Sequence, residues 1–270
     1  MIALEDGFAD VIGKAQRGLR LSDTELAEKA RVSSQKIRKL REGEFDELAL
    51  LRIAGVLNLA TRALCELALG EWRPEKVELE GLAQFSTRFH DMSVNSYLLS
   101  SRGHEAVAFD SGGDCAALLG LATKQNLTIK LILLTHAHAD HVADLAQLRE
   151  KSGAPVYVSS REPVPGAELI EEGKSFRVGR LNIETRLTWG HSQGGMTYVV
   201  HGLSRPVAVV GDSLFAGSMG GGGISYEDAL RNNLEKILTL PDNTVICPGH
   251  GPMTTVGEEK VHNPFFAGQI

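Results

Sequence analysis

The chain has 270 residues, is 43% apolar and 23% charged, and carries a net charge of −6, which suits one large soluble domain or a medium and a small one. No apolar run can span a bilayer, no secretory leader opens the chain, and the acidic balance disfavours nucleic-acid binding over the whole surface. A cytoplasmic protein without membrane contact is expected. Cys65, Cys115 and Cys247 are widely spaced, form no CxxC pair, and read as small buried hydrophobes in a reducing compartment.

The first seventy residues read as helical. Phe8, Val11, Ile12 and Ala15 mark one apolar face that ends near Gly18. Ser22-Asp23-Thr24-Glu25 is a capping-box pattern ahead of Leu26-Ala27. A turn at Ala30 to Ser33 leads into a helix with Ile37 and Leu40 inward, closed by Gly43. Glu47 to Leu57 and Thr61 to Leu69 complete five helices, and Gly70 to Pro74 connects onward. Residues 1–74 therefore read as a separable all-helical domain, followed by a second domain over 75–270. Two short helices joined by a tight turn, the second basic, form a helix-turn-helix arrangement. The segment LSDTELAEKARVSSQKIRKLREG resembles the bacterial phage-repressor-type (XRE-like) helix-turn-helix. That resemblance implies DNA as a partner, met through Lys36, Arg38, Lys39 and Arg41. The alternative is a helical module kept for docking or for a homodimer.

From Val77 onward strands and helices alternate. Ser96 to Leu99 and Ala106 to Phe109 read as strands, the second running into the turn Asp110-Ser111-Gly112-Gly113. A helix over Ala116 to Lys124 precedes the apolar run Ile129 to Leu134. Val142, Leu145, Ala146 and Leu148 then recur at helical spacing up to Gly153, and Val156 to Val158 is a further strand. Prolines, glycines and acids predict loop between Ser159 and Lys174. Leu181 to Thr188 alternates, Val207 to Val210 suits a buried strand, a Gly run at 220–223 precedes a helix over Glu227 to Leu238, and Thr244 to Cys247 is a last strand.

The chemistry sits where these strands end. Thr135-His136-Ala137-His138-Ala139-Asp140-His141 holds three imidazoles and a carboxylate at one strand exit. His191, Asp212 and His250 each follow a later strand. Strand ends on one edge of a layered sheet converge on a common cleft, and imidazole with carboxylate is the donor set preferred by zinc and its neighbours. His90, His104, His201 and His262 lack that setting and read as surface or structural residues. Asp110 is either a partner that fixes an imidazole tautomer or a turn former before Ser-Gly-Gly.

THAHADH, WGHSQGG at His191, VVGDSLF at Asp212 and CPGHGP at His250 together resemble the metallo-β-lactamase superfamily over roughly residues 77–266. The resemblance implies an α/β fold, an αββα sandwich of two sheets flanked by helices. It implies one divalent metal on His136, His138 and His191, a second on Asp140, His141 and His250, and Asp212 bridging both. Zinc is the metal expected, with iron and manganese as alternatives. The tail LPDNTVICPGHGPMTTVGEEKVHNPFF narrows the likeness to glyoxalase-II-like hydrolases. Two such ions share a water, lower its pKa and yield a hydroxide that attacks a carbonyl, with Asp140 orienting it and relaying its proton. The substrate expected is a small thioester or ester. Glyoxalase II proper places a Lys or Arg after its GDSLF-like segment to hold glutathione; here Ser218 to Gly223 carries no cation. The Gly run reads as a mobile rim or a flexible surface loop. Two alternatives stand beside the hydrolase: a mononuclear-iron persulfide dioxygenase, and a DNA-binding regulator whose metal domain senses a metabolite.

Overall fold

The structure is a computed structural model that describes residues 2–269. The chain opens with five short helices, α1 (Phe8–Gly18), α2 (Asp23–Ala30), α3 (Ser34–Arg41), α4 (Glu47–Val56) and α5 (Thr61–Leu69). Their caps follow the sequence. The Ser22 side chain accepts from Glu25 N while Glu25 returns a bond to Ser22 N, and Asp46 caps α4 through Ala49 N. Val11, Ile12 and Ala15 of α1, Leu26 of α2, Ile37 and Leu40 of α3, and Leu50 and Ile53 of α4 are fully buried together.

Two sheets follow. β1 (Leu82–Phe89), β2 (Met92–Ser100), β3 (Glu105–Phe109), β4 (Thr128–Leu133), β5 (Val156–Ser159) and β6 (Glu168–Ile170) lie in that order in the first. β1 to β3 pair antiparallel, and β3 to β6 pair parallel. β7 (Ser175–Val178), β8 (Leu181–Leu187), β9 (Met196–His201), β10 (Val207–Gly211), β11 (Val245–Pro248) and β12 (Thr254–Thr255) form the second, parallel only between β10 and β11. The period-two geometry of a strand sorts each apolar run between two cores. Leu99, Val107, Phe109 and Leu133 meet Tyr198, Val200, Val207, Val209 and Cys247 between the sheets. Leu98, Ala106, Ala108 and Ile132 face outward under α6 (Ala116–Lys124) and α7 (Leu145–Ser152). Val199, Ala208, Val210 and Ile246 face the other way, under α8 (Tyr226–Asn232), a π turn at Asn233–Ile237 and α9 (Val256–His262). The result is the αββα sandwich expected, preceded by an all-helical region.

Several elements differ from the sequence reading. The Pro- and Gly-rich stretch before Lys174 contains β6, which exists because Leu169 pairs with Val158 of β5. The helix expected over Glu227 to Leu238 widens into the π turn, where Asn233 Nδ2 donates to both Ser213 O (2.7 Å) and Ala229 O (3.0 Å). The helical region is not separable in its packing. Its buried leucines continue into the second sheet's outer face as one core with Val210, Leu214, Met219 and Phe266. Ala60 N donates to Pro264 O at 2.7 Å, His262 Nδ1 meets Glu66 Oε2 at 2.8 Å, and Trp72 stacks on the His262 ring at 5.0 Å. Cys115 and Cys247 are buried, as expected, whereas Cys65 is only half-buried. No helix among the described residues is long and apolar enough to cross a membrane.

Candidate metal centre

All seven residues singled out at strand exits meet at one edge of the sandwich. His136, His138, Asp140 and His141 lie in the loop after β4, His191 after β8, Asp212 after β10 and His250 after β11. Ligand atoms of His136, His138, His191 and Asp212 lie within 4.8 Å of one another, and so do those of Asp140, His141 and His250. His90, His104, His201 and His262 stay outside both groups.

The distances define a two-lobed cluster. His138 Nδ1 lies 3.0 Å from His136 Nε2 and 3.1 Å from His191 Nε2. His250 Nε2 is 3.3 Å from Asp140 Oδ2, and His141 Nε2 is 3.6 Å from the same oxygen. Asp212 reaches both lobes: Oδ1 is 3.3 Å from His141 Nε2, and Oδ2 is 3.4 Å from both His191 and His250 Nε2. His141 Nε2 and Asp212 Oδ1 are buried, yet neither has an aligned hydrogen-bond partner. Orphaned buried atoms of this kind are costly unless a cation takes their lone pairs. The donor set therefore fits two transition-metal ions.

Surrounding groups fix which nitrogen each ring presents. Asp110 accepts from His141 Nδ1 (2.8 Å), Thr135 N (2.7 Å) and Thr135 Oγ1 (2.7 Å). The Thr135 hydroxyl, having donated to Asp110, is left to accept from His136 Nδ1 at 3.1 Å. Gly221 O accepts from His191 Nδ1 at 3.0 Å and Ser93 O from His250 Nδ1 at 2.6 Å. Four rings thus turn Nε2 inward, where its lone pair can meet a cation once the ring is neutral. Of the two readings of Asp110, the tautomer-fixing one describes its contacts, although its φ of 56° also makes the turn.

Electrostatics follow from burial and opposite charge. Burial pushes His136 well below the usual histidine range and lowers His191. Burial also disfavours charge on His141, but the Asp110 and Asp212 carboxylates outweigh it and raise the ring to about 10. His250 rises to about 11 for the same reason, through hydrogen bonds to Asp140 and Asp212. Burial pushes the Asp140 carboxyl up, yet the His250 hydrogen bond and the His141 charge win and hold it low. Asp212 is held well below the carboxylate range, again against burial, by His141 and His250.

Close packing requires glycine at two positions. A Cβ on Gly249 would lie 2.0 Å from Asp212 Oδ1, and one on Gly220 would lie 1.9 Å from Asp212 O and 2.9 Å from His191 Nδ1. Within the Gly run Gly220 is buried and Gly221 holds His191, whereas Gly223 is exposed.

Sequence reasoning missed several contributors. Glu162 accepts from Ala137 N (3.1 Å) and Gln193 N (2.7 Å), clamping the two histidine-bearing loops together. A lone acid in a Pro-rich loop gives no signal of that. The hydroxyl of Thr135 and the carbonyls of Ser93 and Gly221 were equally silent. Lys14, Arg17 and Arg20, from α1 and the turn after it, line a cleft of about 1050 Å³ with His138 and His191.

The chain is similar to known proteins. The family model described as the metallo-beta-lactamase superfamily matches residues 91–250, so the chain belongs to that superfamily. The "Probable metallo-hydrolase YqgX" of Bacillus subtilis (strain 168) is 34% identical over 203 residues, covering 66% of this chain and 94% of its own. The "Hydroxyacylglutathione hydrolase GloC" of Haemophilus influenzae (strain ATCC 51907 / DSM 11121 / KW20 / Rd) is 29% identical over 196 residues, covering 63% and 92%. The crystal structure of the B3 metallo-beta-lactamase BLEG-1 superposes with a TM-score of 0.60 at 32% identity, over 69% of this chain and 100% of that one.

Proposed function

We propose that the protein is a metal-dependent hydrolase of a thioester or related ester. His136, His138 and His191 would hold one divalent ion, Asp140, His141 and His250 a second, and Asp212 would bridge them. The observation that carries this reading is the Asp212 carboxylate, with Oδ2 between His191 and His250 of the two lobes, and Oδ1 beside His141 without a hydrogen bond. When bound, such ions supply an activated water and polarise the carbonyl to be cleaved. The chain's own part is positional. Asp110, Thr135, Ser93 and Gly221 hold the imidazoles in register. Asp140, held ionised, is a carboxylate at the lobe edge that can take a proton from the nucleophile and pass it to the leaving group. Similarity to a hydroxyacylglutathione hydrolase supports a thioester, while the lack of a cation in Ser218 to Gly223 argues against a glutathione site in that segment.

The helical region reads best as a docked wall of the cleft rather than a DNA reader. Lys36 pairs with Asp46 (2.6 Å), Lys39 with Glu44 (2.6 Å) and Arg41 with Asp23 (3.2 Å), so the basic face of α3 is largely matched by acids.

The test is metal quantification on gently purified protein beside a screen of thioesters, oxoesters and β-lactams. Two transition-metal ions per chain, zinc foremost, and thioester turnover are expected, with turnover lost and the ion on the His141 lobe weakened while the His136 lobe keeps its own in Asp140→Ala. Less than one ion per chain would sink the proposal. Oxygen consumption with a glutathione persulfide, at a single iron, would replace it with the dioxygenase.

A further inference from the structure

The cleft beside His138 and His191 is walled on one side by Gly221 to Glu227 and on the other by α1 and the turn after it. That helix is fastened to the loop that carries Asp212. Lys14 Nζ donates to Met219 O at 2.8 Å, pairs with Asp6, and sits 5.0 Å over the Phe215 ring. Asp6 also accepts from Ser218 Oγ at 2.6 Å. Gly18 lies so close to the Tyr226 ring that a Cβ there would come within 2.3 Å of it. These contacts consume the charge of Lys14 and hold the end of α1 against the cleft.

Arg17 follows Lys14 by one helical turn and therefore shares its face. Arg20 stands just beyond the helix end in the left-handed region (φ 56°), where glycine costs less. Both side chains are exposed, and among the described residues neither has an ion-pair or hydrogen-bond partner for its guanidinium. The one acid among the described residues lining the cleft, Glu227, pairs with neither of them. The partial negative charge at the end of α1 is roughly half a unit, against two full guanidinium charges. Two unpaired forks on a fixed helix end, opening on the same cleft as two metal-lobe histidines, form a recognition element for an anion.

We infer that Arg17 and Arg20 bind an anionic group, a carboxylate or a phosphate, on the part of the substrate remote from the bond that is cleaved. The helical region then sets substrate choice, supplying from its own end the cation that Ser218 to Gly223 lacks. This inference rests on the hydrolase reading for the position of the scissile bond, but its anion site can be measured without turnover.

The probes are three thioether ketones, the S-acetonyl derivatives of 3-mercaptopropionate, of its methyl ester, and of 2-mercaptoethyl phosphate. Each is titrated calorimetrically into the full-length, metal-loaded protein. An anionic probe is expected to bind at least roughly tenfold tighter than the neutral ester, about what one charge-assisted hydrogen bond supplies. Tighter binding of either anion supports the inference and assigns the group. In Arg17→Gln/Arg20→Gln the preference should collapse to within about twofold, in Arg17→Lys/Arg20→Lys part of it should survive, and in Lys29→Gln, an exposed charge elsewhere, it should persist. Equal binding of all three probes by the wild type, or a preference that survives the double Gln variant, would overturn it. Thioester turnover is scored separately: charge preference without turnover removes the hydrolase and keeps the anion site, and turnover without charge preference does the reverse.

Discussion

Asp110→Asn is the sharpest probe of how the second lobe is held. The Asp110 carboxylate is buried and accepts three hydrogen bonds of 2.7 to 2.8 Å, two from Thr135 and one from His141 Nδ1. An asparagine amide has one acceptor oxygen and one donor nitrogen. With its nitrogen toward His141 it forces the ring to its other tautomer and aims an N–H into the lobe. Turned the other way, its nitrogen faces the Thr135 N–H, donor against donor. Either arrangement loses at least one bond to a charged acceptor, about 1.5–3 kcal/mol. Expressed at the metal, that is roughly a 10–100-fold loss of affinity, the range common for groups that orient a ligand histidine. Competition with a chromophoric chelator should show the lobe of His141 weakened by this factor. The lobe of His136, reached only through the Thr135 hydroxyl, should weaken less. Unchanged affinity at both lobes would refute the reasoning, because Asp110 would then be only a turn former.

Three further outcomes follow from the same contacts. Gly249→Ala places a methyl 2.0 Å from Asp212 Oδ1 and 2.7 Å from His141 Cε1, so elemental analysis should find most of the metal lost while circular dichroism stays native. In chelator-treated protein His141 and His250 titrate at about 10 and 11, above their ordinary value, so the stability they confer is full below about pH 6.5 and is lost as pH rises toward those values. Thermal melts should show that decline, and metal binding near pH 7.5 should release protons, read as heats that vary with buffer ionisation enthalpy. Glu259, fully buried, is raised by burial to about 8 despite donors from Asn263, Thr254 and Gly217. Its folded pKa exceeds its unfolded one, so stability should fall by up to a few kcal/mol between about pH 4.5 and 8, and Glu259→Gln should flatten that slope in melts.

The ligand set was legible because each member follows an apolar run, and a run that ends in His or Asp announces a strand mouth. Nothing local announces β6, where only Leu169 and Ile170 stand among acids and prolines; pairing with β5 creates it. β1 shows half-exposed residues along most of its length and so gives a weak pattern. β9, by contrast, carries Tyr198-Val199-Val200 and was readable, but lay unmarked between two glycine-rich turns. The caps of α2 and the breaks at Gly43 and Gly70 set the helical boundaries correctly, since capping is a local interaction. The tautomer-fixing carbonyls of Ser93 and Gly221 leave no trace in side-chain identity.

The helical region shows why local signals are not enough. Its inward leucines suggest a self-sufficient bundle, yet the outer face of the second sheet, Val199, Ala208, Val210 and Ile246, also needs cover. The short α8, π turn and α9 lie in one core with the buried residues of α1, α4 and α5, and the Lys14 contacts to Met219 and Phe215 fix α1 beside the metal lobes. Once it is fixed there, a sequence gap of about two hundred residues between Arg17 and Gly221 becomes a single cleft. The missing cation after Asp212, taken locally, argues only against glutathione. Seen across the cleft, the same position is served by guanidinium groups from the chain's opening helix and the turn after it. Substrate choice in this protein is therefore a property of how two regions pack, and exchanging α1 should alter it without touching a metal ligand.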